Sequence, residues 1–202
     1  MAFPYVTSIG KYCFAEGKLL KSIVLGPITE IPEGAFYNCR SLEMIAFHNG
    51  TDKLEKASEI TGYPSKVTKV GQKAFAKCSA LKYEDLNYIL SNVVRIEDEA
   101  FFKCKKLGDG TLFLPPSLTY LGEKSLDISG GVTLRFLGST PPTMHSNVFG
   151  DTLKSKITCY VPTGRKSAYK TAFNGQVKDA NIIEITLTSD ERSAFIAAGY
   201  KL

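Results

Sequence analysis

The sequence predicts a repeat solenoid, mainly β with short turns and helical segments, in which about six coils stack and end in a C-terminal cap. Three observations predict it. One phrase of fixed composition recurs along the chain, its copies keep a nearly constant spacing, and the phrase is followed by apolar residues at alternate positions.

The phrase is clearest three times. Ile31 runs through Ala35-Phe36 and Cys39 to Leu42, Val70 through Ala74-Phe75 and Cys78 to Leu81, and Ile96 through Ala100-Phe101 and Cys104 to Leu107. Weaker copies are Ile9-Gly10 to Phe14, where the cysteine has moved to Cys13, then Leu121-Gly122 to Leu126, and Val148-Phe149. The copy at Leu126 has Ser125-Leu126 for Ala-Phe and Ser129 in the cysteine place.

Positions 14, 36, 75, 101, 126 and 149 are separated by 22, 39, 26, 25 and 23 residues, so a single interval is abnormal. Its excess falls in Asn49 to Lys66, with Gly50, Thr51, Asp52, Gly62 and Pro64, and is read as a loop inserted between coils.

Each coil should then enter a strand. Ile23 and Leu25, Ile45 and Phe47, and Leu112 and Leu114 are pairs two residues apart, as one face of a strand requires. The third strand departs from this, with Glu84 where an inward aliphatic is expected. One coil cannot bury its Phe and Leu by itself, but stacked coils give each apolar side chain a like neighbour above and below. Cysteine at the turn suits this crowding as a small buried hydrophobe with a weak S–H donor.

The alternate strand positions must point outward: Ser22 and Val24, Met44 and Ala46, Tyr83 and Asp85, Thr111 and Phe113, Thr133 and Arg135, Thr158 and Tyr160. Phe113 sits between Leu112 and Leu114, Arg135 between Leu134 and Phe136, and Tyr160 between Cys159 and Val161, so a one-residue slip would bury Arg135 unpaired. Met44, Tyr83, Asp85, Phe113, Arg135 and Tyr160 are the candidate binding residues, because aromatic and adaptable side chains are enriched at interaction surfaces. The competing explanation is that Val, Tyr, Phe and Thr are good strand formers.

Composition narrows the function. With 44% hydrophobic and 22% charged residues the 202-residue chain should fold, and its net charge of +5 is spread rather than gathered, so no nucleic-acid partner is expected. No apolar run approaches the roughly 20 residues that cross a bilayer, so no direct membrane insertion is expected. Met1 to Tyr5 lacks the regions of a signal peptide, and any export signal is expected upstream. Phe3-Pro4 matches the end of a strand whose coil is otherwise missing, as if the array continued upstream or followed another cap.

The chemistry is sparse. There are two histidines, His48 and His145, each read as a solvated turn residue, and no hydrolase, phosphate-binding, dinucleotide or calcium motif. No catalytic residue, cofactor or metal is therefore expected. Five cysteines without a C-x-x-C pair fit neither a zinc ribbon nor a complete disulfide set. A column of sulfurs spreads along a line instead of converging on a metal; buried free thiols are the simpler reading, with inter-coil disulfides the alternative. Asn49-Gly50-Thr51 is formally a glycosylation acceptor.

Beyond the array, Asn181 to Leu187 reads as a strand, and Thr188-Ser189-Asp190-Glu191 as a capping box opening a helix that Gly199 would end. The domain reading is 1–176 for the repeats with a closing strand and helix, and 177–202 for a C-terminal strand and helix, either a cap or the start of a further domain.

Val6-Thr7-Ser8-Ile9-Gly10, Ile28-Thr29-Glu30-Ile31-Pro32 and Val67-Thr68-Lys69-Val70-Gly71, the Ala-Phe-x-x-Cys-x-x-Leu runs, Thr140-Pro141-Pro142-Thr143, and Tyr160-Val161-Pro162-Thr163-Gly164 followed by Ala168-Tyr169-Lys170 together cover roughly residues 3 to 175. In these residues the chain resembles the BspA-like leucine-rich repeat family of bacterial surface proteins. The resemblance implies a leucine-rich-repeat-like right-handed stack at the cell surface or outside the cell. It also implies a non-catalytic binding or adhesion module that recognises a protein or glycan ligand, host-derived ones included, on its β-sheet face. The alternative is a structural stalk or spacer of a larger surface protein.

Overall fold

The computed structural model describes residues 1–3, 5–47 and 65–202. His48, the Asn49-Gly50-Thr51 acceptor and nearly all of the inserted loop lie outside the described residues.

Among the described residues three sheets form, and every strand pairing in them is parallel. β1 (Ala2–Phe3), β2 (Ser22–Leu25) and β4 (Met44–Phe47) make the first. β3 (Glu30–Ile31), β5 (Lys69–Val70), β6 (Arg95–Ile96), β8 (Tyr120–Leu121) and β10 (Thr143–Met144) make the second, a ribbon of two-residue strands. β7 (Thr111–Leu114), β9 (Val132–Phe136), β11 (Ile157–Pro162) and β12 (Ile182–Ile185) make the third.

Register follows the repeat. Ile23 stands beside Ile45 and Leu25 beside Phe47, while Leu112, Leu134 and Cys159 form one row of the third sheet. These residues are buried in one continuous apolar core with Phe36, Phe75 and Phe101. Like residues stack on like residues: the rings of Phe14 and Phe36 lie 5.3 Å apart, Phe36 and Phe75 5.3 Å, and Phe75 and Phe101 5.6 Å, all within 9° of parallel.

The small residues of the phrase serve the backbone. The Phe36 N–H donates to the Ala74 carbonyl at 2.8 Å, Phe75 to Ala100 at 2.9 Å and Phe101 to Ser125 at 3.1 Å, so one turn is bonded to the next. Ala35, Ala74, Ala100 and Ser125 are fully buried, which leaves no room for a larger side chain. The cysteines add a second set of bonds. The Cys39 thiol donates to the Phe14 carbonyl at 3.0 Å, Cys78 to Phe36 at 3.0 Å and Cys104 to Phe75 at 2.9 Å. All five cysteines are free, and burial pushes the Cys104 thiol up to about 12.

The turn also demands a left-handed residue two places before each of Phe14, Phe36, Phe75 and Phe101 and before Leu126, which holds the equivalent position in the next copy. Tyr12, Gly34, Lys73, Glu99 and Lys124 hold φ between 50° and 59°. Gly34 has a second reason to lack a side chain, since a Cβ there would come within 2.1 Å of the Tyr12 ring.

The expectation of a strand at Tyr83 to Asp85 is corrected: this segment opens a helix, α1 (Tyr83–Leu90). Leu86, Ile89 and Leu90 recur at the i, i+3, i+4 spacing of a helix face and are fully buried, while Glu84 and Asp85 lie in the first turn, where carboxylates oppose the helix dipole. The helix interrupts the row of longer strands, standing between β4 and β7. It replaces the missing strand chemically through one side chain. The Asn87 carboxamide donates to the Thr111 carbonyl and accepts from the Phe113 N–H, both at 2.8 Å, which supplies the donor and acceptor that a neighbouring peptide would offer.

After β11 comes α2 (Lys166–Phe173), whose Tyr169 and Phe173 are fully buried against Phe136. The Tyr169 hydroxyl donates to the Gly138 carbonyl at 2.7 Å. β12 then adds to the third sheet, and α3 (Ser189–Ala197) follows. Thr188 Oγ1 accepts from the Glu191 N–H at 3.1 Å and Glu191 Oε2 accepts from the Thr188 N–H at 3.0 Å, the reciprocal pair that the sequence spells.

Candidate functional site

The third sheet alternates inward and outward residues, and its parallel register lines up the outward ones. Thr111, Thr133 and Thr158 form one outward row. Phe113, Arg135, Tyr160 and Ile183 form the next, all partly exposed. Three of the six sequence candidates, Phe113, Arg135 and Tyr160, are therefore brought side by side on β7, β9 and β11.

The other three are elsewhere. Met44 is half-buried on β4, in a different sheet, beside Ser22. Tyr83 and Asp85 are on α1, so they are not part of an outward strand face; helical spacing in Leu86, Ile89 and Leu90 overrides the alternation assumed for them. Asp85 is buried, and the Tyr83 ring lies over Gly110, where a Cβ would come within 2.3 Å of it.

The expected open strip is also corrected, because the chain covers part of it with its own C-terminal segment. Arg135 Nη1 donates to Glu191 Oε1 at 2.8 Å, leaving the arginine side chain only 11% exposed. Phe195 sets its ring against Phe113, edge to face at 4.9 Å, and lies 5.7 Å from the guanidinium of Arg135. Tyr200 packs T-shaped on Phe195 at 5.3 Å and donates its hydroxyl to the Asn87 carbonyl at 2.6 Å. Asn92 Nδ2 donates to the Gly199 carbonyl at 3.4 Å. Leu137, Phe195 and Tyr200 thus form an apolar cluster of their own, with Phe113, Leu187, Ala198 and Leu202 at its margin.

The electrostatics follow from these contacts. The hydrogen bond from Arg135 holds the Glu191 carboxyl down at about 2, with the Thr188 N–H helping. Burial pushes the Tyr200 phenol far up, so it stays a donor. Arg135 keeps buried Nε and Nη2 atoms without a hydrogen-bond partner among the described residues. Chemically, the face offers one cation between two aromatic rings and a row of hydroxyls, which suits an anionic group flanked by an apolar or sugar surface.

Sequence reasoning missed Asn87, Glu191, Phe195 and Tyr200. The capping box flagged Glu191 as a helix-start residue, but nothing in the local sequence says against which surface that helix packs. Among the described residues no group of three or more His, Cys, Asp or Glu side chains gathers as a metal site, and no helix is long and apolar enough to cross a membrane.

Comparison with protein families matches the chain to the BspA type Leucine rich repeat region, in 6 copies over residues 2–81 and 57–180. Comparison with curated proteins gives no match. The recurring phrase, the stacked Phe column and the match over most of the length agree, and the chain belongs to the BspA-type leucine-rich repeat family.

Proposed function

We propose that the chain is a non-catalytic binding module of a cell-surface or secreted protein, a right-handed solenoid of about six coils that recognises a protein or glycan on the outer face of its longer strands. The observation that carries this reading is the aligned row Phe113, Arg135 and Tyr160, in which a nearly buried guanidinium keeps two nitrogens, Nε and Nη2, without a hydrogen-bond partner among the described residues. A sheet face with only a structural task has no need to desolvate a charge without full pairing, since that costs stability. Family membership supports the surface assignment, as such repeats are often found in surface proteins. The residues to test are Phe113, Arg135 and Tyr160, with Met44 as a separate position; no enzyme activity is proposed.

A stalk or spacer role is the second reading. It is favoured by α3, which covers Phe113 and Arg135 in the row that a ligand would use. The two separate by screening the labelled chain against arrayed glycans and host-cell surface proteins beside a variant with Phe113→Ser, Arg135→Ser and Tyr160→Ser. The binding reading expects a ligand whose signal falls at least tenfold in the variant. Equal signals from both proteins would leave the stalk.

A further inference from the structure

The segment lying on this face is a poor ligand for it. α3 touches the sheet along one side only, through Glu191 and, one turn later, Phe195; Asp190, Arg192, Ser193, Ala194, Ile196 and Ala197 are exposed. Its contacts form a small cluster apart from the main core. Guanidinium and carboxylate pair best through two parallel N–H···O bonds. Glu191 makes only one of these bonds: Oε1 accepts from Arg135 Nη1, while Oε2 is turned to the Thr188 N–H of its own helix cap and accepts there. Arg135 Nε and Nη2 are left without a hydrogen-bond partner among the described residues.

We infer that α3 is a displaceable placeholder, and that the groove over Phe113 and Arg135 docks an amphipathic helix of a partner protein presenting a carboxylate and an aromatic ring one turn apart. The partner's carboxylate, free of any capping duty, takes Arg135 through two bonds, and its ring takes the place of Phe195 against Phe113. Charge complementarity and the groove's present occupant define this partner. The inference rests on the sheet face being the binding surface, and adds the class of partner and the segment that regulates access.

The test uses the full chain and a fluorescein-labelled synthetic peptide copying residues 186–202, read by fluorescence anisotropy. A Glu191→Gln, Phe195→Ala variant loosens the helix in cis, and hydrogen exchange on the same samples reports whether the α3 amides are released. The variant should bind the peptide at least tenfold more tightly than the wild type. Adding Arg135→Gln should remove that gain. Equal affinity for wild type and loosened variant would overturn the inference. So would α3 amides that are unprotected in the wild type or stay protected in the variant. If the peptide gain appears while array binding is indifferent to the sheet face, the displacement stands and the proposed function fails.

Discussion

Asn87 gives Phe113 the hydrogen bond that a neighbouring strand would have given: its Oδ1 accepts from the Phe113 N–H at 2.8 Å while its Nδ2 donates to the carbonyl of Thr111. One carboxamide thereby closes the edge of β7 where α1 interrupts the row of strands. The same residue's carbonyl receives the Tyr200 hydroxyl, so the repair of the sheet and the seating of the C-terminal segment meet at one position.

Asn87→Ala should cost about 1 to 3 kcal/mol, since it strands a partly buried donor and acceptor. Urea denaturation measures this, and a loss below about 0.5 kcal/mol would mean that water replaces the carboxamide without penalty. Asn87→Asp keeps the acceptor but faces the Thr111 carbonyl with another oxygen, so it should not restore stability.

Phe75→Ala should cost about 3 to 5 kcal/mol, because it removes a fully buried ring stacked on both sides, by Phe36 and by Phe101. A loss below about 1 kcal/mol would contradict the stacked column.

Dithiothreitol should leave the Tm almost unchanged, because Cys39, Cys78 and Cys104 act as thiol donors to carbonyls. Losing a disulfide typically costs about 2 to 5 kcal/mol, a fall of many degrees that thermal denaturation would show at once. Alkylation offers a parallel check: exposed Cys13 should react first, and the other four only on unfolding.

The repeat, its strands and the turn were legible because they are written locally. A recurring Ala-Phe-x-x-Cys-x-x-Leu phrase states its own register, and strand alternation then gives the outward row Phe113, Arg135, Tyr160. Tyr83 and Asp85 were misread because alternation was extended by analogy from neighbouring repeats, although Leu86, Ile89 and Leu90 already carried a helical period. The cover on the face could not be read at all. Phe195 and Phe113 are 82 positions apart, and a short helix whose one buried side chain is Phe195 does not say which surface it will meet.

The seating of α3 should depend on pH in acid. The Glu191 carboxyl titrates at about 2 when docked against an ordinary value of 4.5, so its contribution is fully present above about pH 4.5 and is lost as pH falls toward 2. Hydrogen exchange of residues 189–200, referenced to the core strands at each pH, should show protection constant from pH 7 to 5 and declining below 4.5. In Glu191→Gln that acid decline should vanish. An unchanged pH profile in the variant would show that the Arg135 to Glu191 bond does not hold the helix.

The most direct test of the sheet face as a binding surface is the hydrogen-exchange footprint of the chain with and without its strongest array ligand. Bound ligand should add protection at Thr111–Leu114, Val132–Phe136 and Ile157–Pro162 while exchange at Ser189–Ala197 rises. Protection confined to other segments, with these strands and α3 unchanged, would contradict the assignment.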